Sequence, residues 1–310
     1  MAKGSCRKAF SEEILRLARQ DSRIFLIATD SRGSVTCSGF FDELPEQAAE
    51  MGIAEQNAVS VAAGVAMTGR RTFVCGPACF LSARAFEQVK SEVAYNAANV
   101  KIIGVSAGVS YGPLGTTHTS LHDFASMRSL PGIEIFAPSD AVQTKWLTAR
   151  LASMDGPAYM RMGRGDVEAV YEAEETFEIG KAKTLRTGGD VTLIACGEMV
   201  YQALCAASLL HEKGVEATVL DMFSLRPFDS DAVISAAKAT GAVVTIEEHS
   251  VYGGLGEQTA HVLTESCPVK MRLLGFPDAP YRIGTSQELF AVYGLDAKGV
   301  AASAYDLVKG

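Results

Sequence analysis

The chain has 310 residues, of which 48% are hydrophobic and 21% charged, and its net charge at pH 7 is -8. This length allows two ordinary globular domains with cores of their own. The acidic balance excludes nucleic acid as an expected partner, and the apolar runs are shorter than the roughly 20 residues of a membrane span. We therefore expect no nucleic-acid or membrane partner. The segment 1–10 lacks an apolar signal core, which favours a cytoplasmic protein.

The first half of the chain alternates short β-branched runs with amphipathic or Ala-rich stretches. These patterns predict strands at 24–29, 71–75, 100–106, 133–137 and 158–162. They predict helices at about 8–19, 54–68, 82–97 and 140–154. Such an order is typical of parallel strands joined by crossover helices, that is, of an α/β layered domain.

A second series of strands follows a Glu-rich stretch at 168–178 and a glycine turn at 187–190. Its predicted strands lie at 191–196, 217–221, 243–247 and 270–274. The predicted fold class is α/β, with two three-layer domains whose sheets are mostly parallel. We expect the domains to cover residues 1–170 and 186–310, with a linker at about 171–185.

The cysteines form no metal or redox pattern, because none of them belongs to a CxxC pair and most lie in apolar runs. Reduced packing thiols are the prediction. The seven positions are Cys6, Cys37, Cys75, Cys79, Cys196, Cys205 and Cys267.

One carboxylate stands at the head of an apolar helix. The segment 52–57 (GIAEQN) contains Glu55, and the ten residues that follow (AVSVAAGVAM) are too apolar to face water on either side. Glu55 is thus predicted to lie buried in the first helical turn. A buried carboxylate of this kind needs a partner or a chemical role.

Three predicted strand ends carry polar loops, and ligands of open α/β sheets bind beyond the carboxyl ends of strands. The loops are 30–34 (DSRGS), 107–122 (AGVSYGPLGTTHTSLH) and 161–164 (RMGR). Glycines in the second loop allow tight turns before His118, an imidazole that can exchange protons with a substrate. His122 follows four residues later, but no HExxH pattern is present and we predict no metal site in this chain.

Several separated segments resemble the transketolase family of thiamine diphosphate enzymes. Residues 52–66, 79–108, 115–118 (GTTH) and 127–141 (MRSLPGIEIFAPSDA) are similar to its pyrimidine-binding domain. Residues 190–197 (DVTLIACG), 221–226 (DMFSLR) and 245–257 (TIEEHSVYGGLGE) are similar to its carboxyl-terminal domain. The resemblance covers nearly the whole chain, with its motifs in the family's order.

The resemblance implies roles for particular residues around the cofactor. Glu55 would hydrogen-bond a pyrimidine nitrogen of thiamine diphosphate and so activate it. Phe80 and Phe86 would enclose the aminopyrimidine ring, and Asp30 would lie near the cofactor and the subunit interface. His118 would contact the reacting oxygens of the substrate.

The resemblance also assigns the substrate phosphate, and here one position departs from the family. Arg161 would grip a sugar phosphate, together with Arg7 and Ser34. Leu114 stands where transketolases with this loop usually have an aspartate that contacts a sugar hydroxyl. Because leucine cannot accept that hydrogen bond, the resemblance favours a less hydroxylated, branched or otherwise modified substrate.

No segment resembles the family's diphosphate-binding domain, in which Gly-Asp-Gly and a downstream Asn hold the metal and the diphosphate. We therefore expect a separate amino-terminal subunit that holds Mg²⁺ or Ca²⁺, in an α2β2 assembly. The resemblance assigns no site residue to the second domain, which we expect to serve assembly.

The predicted activity is that of a carboxyl-terminal subunit of a split transketolase, which transfers a two-carbon ketol unit between a ketose phosphate and an aldose acceptor. Two alternatives stay open. One is a decarboxylating enzyme with the same cofactor, such as a deoxyxylulose phosphate synthase or a 2-oxoacid dehydrogenase beta subunit. The other is a non-catalytic scaffold or regulatory subunit of the same fold.

Overall fold

A computed structural model describes residues 3–280 and 282–310 of the chain. The strands are β1 (Lys3–Gly4), β2 (Ile24–Ala28), β3 (Ala48–Glu50), β4 (Arg71–Pro77), β5 (Val100–Val105), β6 (Glu134–Phe136), β7 (Ala158–Met162), β8 (Val167–Glu168), β9 (Lys183–Arg186), β10 (Val191–Ala195), β11 (Ala217–Asp221), β12 (Ser224–Arg226), β13 (Ala242–Ser250) and β14 (Lys270–Phe276).

The helices are α1 (Cys6–Ala18), α2 (Arg32–Val35), α3 (Ser38–Glu43), α4 (Glu55–Met67), α5 (Ala78–Ala83), α6 (Phe86–Gln88), α7 (Asp123–Arg128), α8 (Ala141–Ser153), α9 (Met199–His211), α10 (Ser230–Thr240), α11 (Leu255–Ser266), α12 (Ser286–Tyr293) and α13 (Ala297–Lys309). Short 3₁₀ segments occur at Pro45–Gln47 and Gly112–His118, and a π-helical turn at Val89–Ala94.

The first sheet has the strand order β12-β6-β7-β5-β4-β2-β3, and all its strands except β12 run parallel to their neighbours. Its central strands are mostly apolar and mostly buried, and β5 (VKIIGV) is buried along its whole length, including Lys101. Strands buried on both faces are characteristic of parallel sheets covered by helices. The carboxyl ends of these strands therefore meet at one edge of the sheet.

The second sheet has the order β14-β13-β10-β11-β9, in which only β9 is antiparallel. Helices of the carboxyl-terminal half pack on it, and α9 contributes a stripe of buried alanines to its core. The predicted class, two α/β domains with mostly parallel sheets, is confirmed.

The two halves are joined more intimately than the sequence predicts, because β12 comes from the second half but completes the first sheet. It pairs antiparallel with β6, and the Arg226 guanidinium donates to the carbonyl oxygens of Arg128 and Leu130. Arg128 in turn donates to the carbonyl oxygen of Gly254 at 2.8 Å. Arginines of both halves therefore donate hydrogen bonds to backbone carbonyl oxygens of the other half.

The prediction of one continuous helix over 82–97 is wrong. The chain leaves helical geometry at Ala85 (φ -97°, ψ 11°), after α5, and resumes with α6 and the π-helical turn. The break accompanies a long-range contact, since the neighbouring Arg84 donates a hydrogen bond to Glu55. Tertiary contacts can override a local helical pattern in this way.

All seven cysteines carry free thiols, and five of them are buried. Burial raises the pKa of the Cys6 and Cys79 thiols to about 12, which makes them unreactive packing residues, as predicted. Among the described residues, no helix combines the length and apolar character needed to cross a bilayer.

Candidate functional site

The carboxyl edge of the first sheet carries backbone strain and unsatisfied polar groups. Asp30 (φ 52°) and Ser106 (φ 53°) follow the ends of β2 and β5 in the left-handed region, which few non-glycine residues adopt. The hydroxyls of Thr29 and Ser106 are buried without a hydrogen-bond partner in the described part of the chain. Strain and orphaned polar groups of this kind concentrate at ligand sites.

Glu55 is the first residue of α4, and it is 2% exposed. Its Oε2 accepts a hydrogen bond from Arg84 Nη1 at 2.7 Å. Within residues 3–280 and 282–310, its Oε1 accepts none. The expected burial and partner are thus both present, and one carboxylate oxygen is left for another donor.

Arg84 links Glu55 to the aromatic residues of the site. Its guanidinium carbon lies 4.5 Å from the centroid of the Phe80 ring. The Phe80 ring in turn meets the His118 imidazole edge-on, with the ring centroids 5.2 Å apart. The structure therefore brings Glu55, Phe80 and His118 together, and Arg84 is the residue that sequence reasoning missed.

His118 ends the 3₁₀ segment Gly112–His118 and is half-buried. Its Nδ1 lies 2.9 Å from Thr117 Oγ1, and its ring meets the Tyr111 ring at a centroid distance of 5.2 Å. Two aromatic neighbours and one hydroxyl thus fix the imidazole plane. Gly115 (φ 67°, ψ -154°) makes the turn that returns the chain to this position.

A pair of arginines lies on the other side of Tyr111. The Arg164 guanidinium carbon is 5.1 Å from the Tyr111 ring centroid, and Arg7 donates to the carbonyl oxygens of Arg164 and Ser34. Burial, and then the charge of Arg164, lowers the pKa of Arg7. Arg7 and Ser34 are therefore adjacent, with Arg164 as their neighbour.

This arginine pair has unused donors. Arg7 Nε and Arg164 Nη1 are buried without a hydrogen-bond partner, and in the part of the chain that the structure describes no carboxylate bonds either guanidinium. Buried donors on two adjacent cations suit an anion with several acceptor oxygens. The pair has the character of a phosphate or carboxylate subsite.

Arg161 lies elsewhere, in the contact between the two domains. Its side chain is 7% exposed, and it donates to Asp123 Oδ1 and to the carbonyl oxygen of Glu248, both at 3.0 Å. Burial opposes its charge, but the Asp123 and Glu248 carboxylates raise the pKa of Arg161 above its usual value. The adjoining cavity measures about 20 Å³, room for one water molecule and not for a sugar phosphate.

Asp30 and Phe86 are the remaining predicted residues. The Asp30 N–H donates to Glu50 Oε1 at 2.6 Å, and the exposed Asp30 side chain follows β2. Phe86 is half-buried at the start of α6 and packs on the core beneath the first sheet. No contact between either residue and His118 occurs in the described ranges.

The chain matches two family models. The one described as "Transketolase, pyrimidine binding domain" matches residues 2–169, and the one described as "Transketolase, C-terminal domain" matches residues 180–300. The chain therefore belongs to the transketolase family, whose enzymes depend on thiamine diphosphate.

Several similar proteins of matching length are named as subunits. An apulose-4-phosphate transketolase subunit of Phocaeicola vulgatus is 51% identical over 98% of both chains. The "6-deoxy-6-sulfo-D-fructose transketolase subunit SqwH" of Clostridium sp. is 37% identical over 98% of this chain and 94% of its own. A solved structure described as "Split gene transketolase, inactive beta4 tetramer" has a TM-score of 0.89 at 38% identity, with 98% of each chain covered.

Proposed function

We propose that the chain is the carboxyl-terminal subunit of a split transketolase, which transfers a two-carbon ketol unit from a ketose phosphate to an aldose acceptor. The observation that carries this proposal is the buried Glu55 carboxylate, with one oxygen on Arg84 and the other unbonded in the described residues. A buried carboxylate is costly unless it is paired or used.

The residues present fit the pyrimidine part of thiamine diphosphate. When bound, this cofactor supplies the nucleophilic carbon of the transfer. Glu55 would use its unbonded Oε1 to share a proton with a pyrimidine nitrogen, and Arg84 would keep the carboxylate in place. Phe80, Phe86 and Asp30 would border the ring, with the half-buried Phe80 face as the main apolar contact.

His118 would move protons at the substrate oxygens. Its Nδ1 faces Thr117 Oγ1 at 2.9 Å, so Nε2 is the nitrogen left for a substrate hydroxyl or carbonyl. Phe80 and Tyr111 hold the ring at both sides and limit its rotation. An oriented imidazole is suited to general acid and base catalysis.

The substrate phosphate would bind between Arg7, Ser34 and Arg164. Arg7 Nε and Arg164 Nη1 are the buried donors without a partner in the described ranges, and Tyr111 connects this group with His118. We assign the phosphate contact to Arg164 in place of Arg161, because Arg161 already donates to Asp123 and Glu248.

A branched or modified ketose phosphate is the substrate class we favour. The relative with 51% identity is named for apulose-4-phosphate, and another for a sulfonated fructose. Leu114 is 55% exposed in the loop that carries His118, where it offers an apolar contact and no hydrogen-bond acceptor. A substrate that lacks the usual hydroxyl at this point would therefore lose no hydrogen bond to Leu114.

An amino-terminal transketolase subunit would hold the diphosphate and Mg²⁺ or Ca²⁺, in an α2β2 assembly. The relatives named as subunits support this, as does the solved beta4 tetramer that is described as inactive. We further propose the domain division 1–170 and 186–310, with the linker at about 171–185, and a cytoplasmic location.

Reconstitution tests the function. The chain is co-expressed with a transketolase amino-terminal section, and the complex is supplied with Mg²⁺, thiamine diphosphate and a branched ketose phosphate together with an aldose acceptor. Mass spectrometry should show products that differ from donor and acceptor by two carbons. Neither of the two chains alone should convert the donor and acceptor to these products.

The same assay separates the other functions. Carbon dioxide released from an added 2-oxo acid, without two-carbon exchange between sugars, would identify a decarboxylating enzyme. A complex that forms but has no activity with either donor type would favour a non-catalytic role.

A further inference from the structure

A buried carboxylate of the second domain bonds the loop that carries His118, residues 107–122. We name this segment the His118 loop. The Val109 N–H donates to Glu248 Oε1 at 2.8 Å, across 139 residues of sequence. Glu248 belongs to β13 of the second sheet, so this bond crosses from one domain to the other.

The loop backbone is shaped around this carboxylate. Gly108 has φ 63°, and a Cβ at this position would overlap the Glu248 carboxylate. Any side chain here would therefore displace that carboxylate. The absence of a side chain at Gly108 is what allows Glu248 to reach Val109.

Strand β13 also holds the returning end of the loop. The Ser250 N–H donates to the carbonyl oxygen of Leu121 at 3.0 Å, two residues along the strand from Glu248. Gly108 and Ser120 exchange backbone hydrogen bonds of 3.1 and 2.8 Å, which closes the base of the loop. Both ends of the segment that presents His118 are thus fixed by one strand of the other domain.

Glu248 is itself held in place. Its carbonyl oxygen accepts from Arg161 Nη2 at 3.0 Å, and its Oε2 lies 3.8 Å from the same nitrogen. Its neighbour Glu247 is equally buried but turns to its own domain, where it accepts the N–H groups of Leu255 and Gly256 at the start of α11. Glu248 therefore faces the His118 loop, and Glu247 faces the start of α11 in its own domain.

We propose that Glu248 is a positioning residue, which fixes the His118 loop from the second domain and so sets the place of His118 in the site. The second domain then contributes to catalysis and not only to assembly. The catalytic part of this inference rests on the proposed function, whereas the docking of the loop does not.

The docking is tested by hydrogen exchange of the chain alone, followed by mass spectrometry. In Glu248→Ala the Val109 N–H loses its acceptor, and peptides within 107–122 should exchange at least about tenfold faster. Glu247→Ala is the matched control, which should raise exchange around 255–266 and leave the His118 loop unchanged. Gly108→Ala, which pushes the carboxylate away, should reproduce the Glu248→Ala result and serves if that variant fails to fold.

The positioning role is tested in the reconstituted complex. Displacement of a catalytic group by about 1 Å can cost about a hundredfold in rate, so kcat of Glu248→Ala should fall about tenfold to a hundredfold. KM for the ketose phosphate should change less than about threefold, since Arg7 and Arg164 are untouched. Glu248→Gln keeps an acceptor of the same shape and should recover most of kcat.

Unchanged exchange of the His118 loop in both Glu248→Ala and Gly108→Ala would overturn the docking. A kcat loss as large in Glu247→Ala, or no recovery in Glu248→Gln, would overturn the positioning role. If the wild-type complex has no transferase activity, the proposed function and the catalytic part fail together, and the exchange comparison still decides the docking.

Discussion

Arg161 and Arg164 are three residues apart and lie in opposite environments. Arg161 is enclosed between the domains, with Asp123 and Glu248 on its guanidinium. Arg164 lies beside Tyr111 and Arg7, where its Nη1 is buried and has no hydrogen-bond partner in the described residues. Removing a buried charge that is paired with carboxylates leaves them unpaired and destabilises the fold, whereas a buried donor without a partner indicates a place for a ligand.

Three consecutive residues of the second domain, Glu247, Glu248 and His249, have strongly shifted pKa values. Burial raises the pKa of Glu247 to about 7 and, with the nearby Glu198 charge, that of Glu248 to about 8. Burial lowers the pKa of His249 to about 4. These shifted groups lie on β13, outside the group formed by Glu55, Phe80 and His118, so a search for shifted pKa values alone would have selected residues outside that group.

The largest expected effect is at Glu55. Glu55→Gln should lower turnover of the reconstituted complex at least about a hundredfold, because a positioned proton-transfer group contributes about 10²–10⁴-fold. The exposed Glu87, which pairs with Lys90, provides the control Glu87→Gln with unchanged turnover. Equal activity of the two variants would favour the scaffold alternative.

Loss of the enclosed arginine should mainly affect folding. Arg161→Met leaves Asp123 and Glu248 without their cation, and breaking a buried pair costs about 3–5 kcal/mol of unfolding free energy. Arg164→Met should cost less than about 1 kcal/mol, since that guanidinium has no carboxylate partner in the described ranges. Urea unfolding of both variants measures this, and equal losses would abolish the contrast.

The reverse contrast is expected in kinetics. Arg164→Met should raise KM for a ketose phosphate about tenfold to a hundredfold, because a hydrogen bond to a charged group contributes about 1.5–3 kcal/mol. An unphosphorylated ketose donor is the control, and its KM should change little. If both donors are affected alike, Arg164 does not bind the phosphate.

Leu114 should have a smaller effect that concerns only substrate choice. Leu114→Asp restores a hydroxyl acceptor and should shift the ratio of kcat/KM towards ordinary ketose phosphates about tenfold. Leu114→Ala removes the apolar side chain without adding an acceptor, and it should not produce this shift. Stability should be almost unchanged, since the residue is 55% exposed.

A further prediction concerns pH. The pKa of Glu248, about 8 in the folded chain, exceeds the value of about 4.3 of an unfolded glutamate. The folded state then binds the proton more tightly, and the stability that results is complete below about pH 4.3 and disappears as the pH rises to about 8. The Tm of the wild type minus that of Glu248→Gln should therefore decrease between about pH 5 and 8. A difference that increases with pH would contradict the raised pKa.

Local pattern predicted most of the elements, because buried parallel strands are continuous apolar runs and helices are longer amphipathic ones. The strands at 158–162 and 217–221 match those observed, and the helix from Glu55 begins within a residue of its predicted start. Strand β12 was missed because its three residues have no strand pattern of their own. They are a strand because they pair with β6 at the edge of the first sheet.

Apolar periodicity and ordered motifs along the chain are enough to predict the fold class, the family and the burial of Glu55. Tertiary structure decided which arginine is enclosed and which one has donors left over in the described residues. It also decided that Arg84 bonds Glu55, and that Glu248 holds the His118 loop from 139 residues away. Such pairings depend on which strand ends and domain faces meet in the folded chain. No local sequence pattern shows which distant residues will be neighbours.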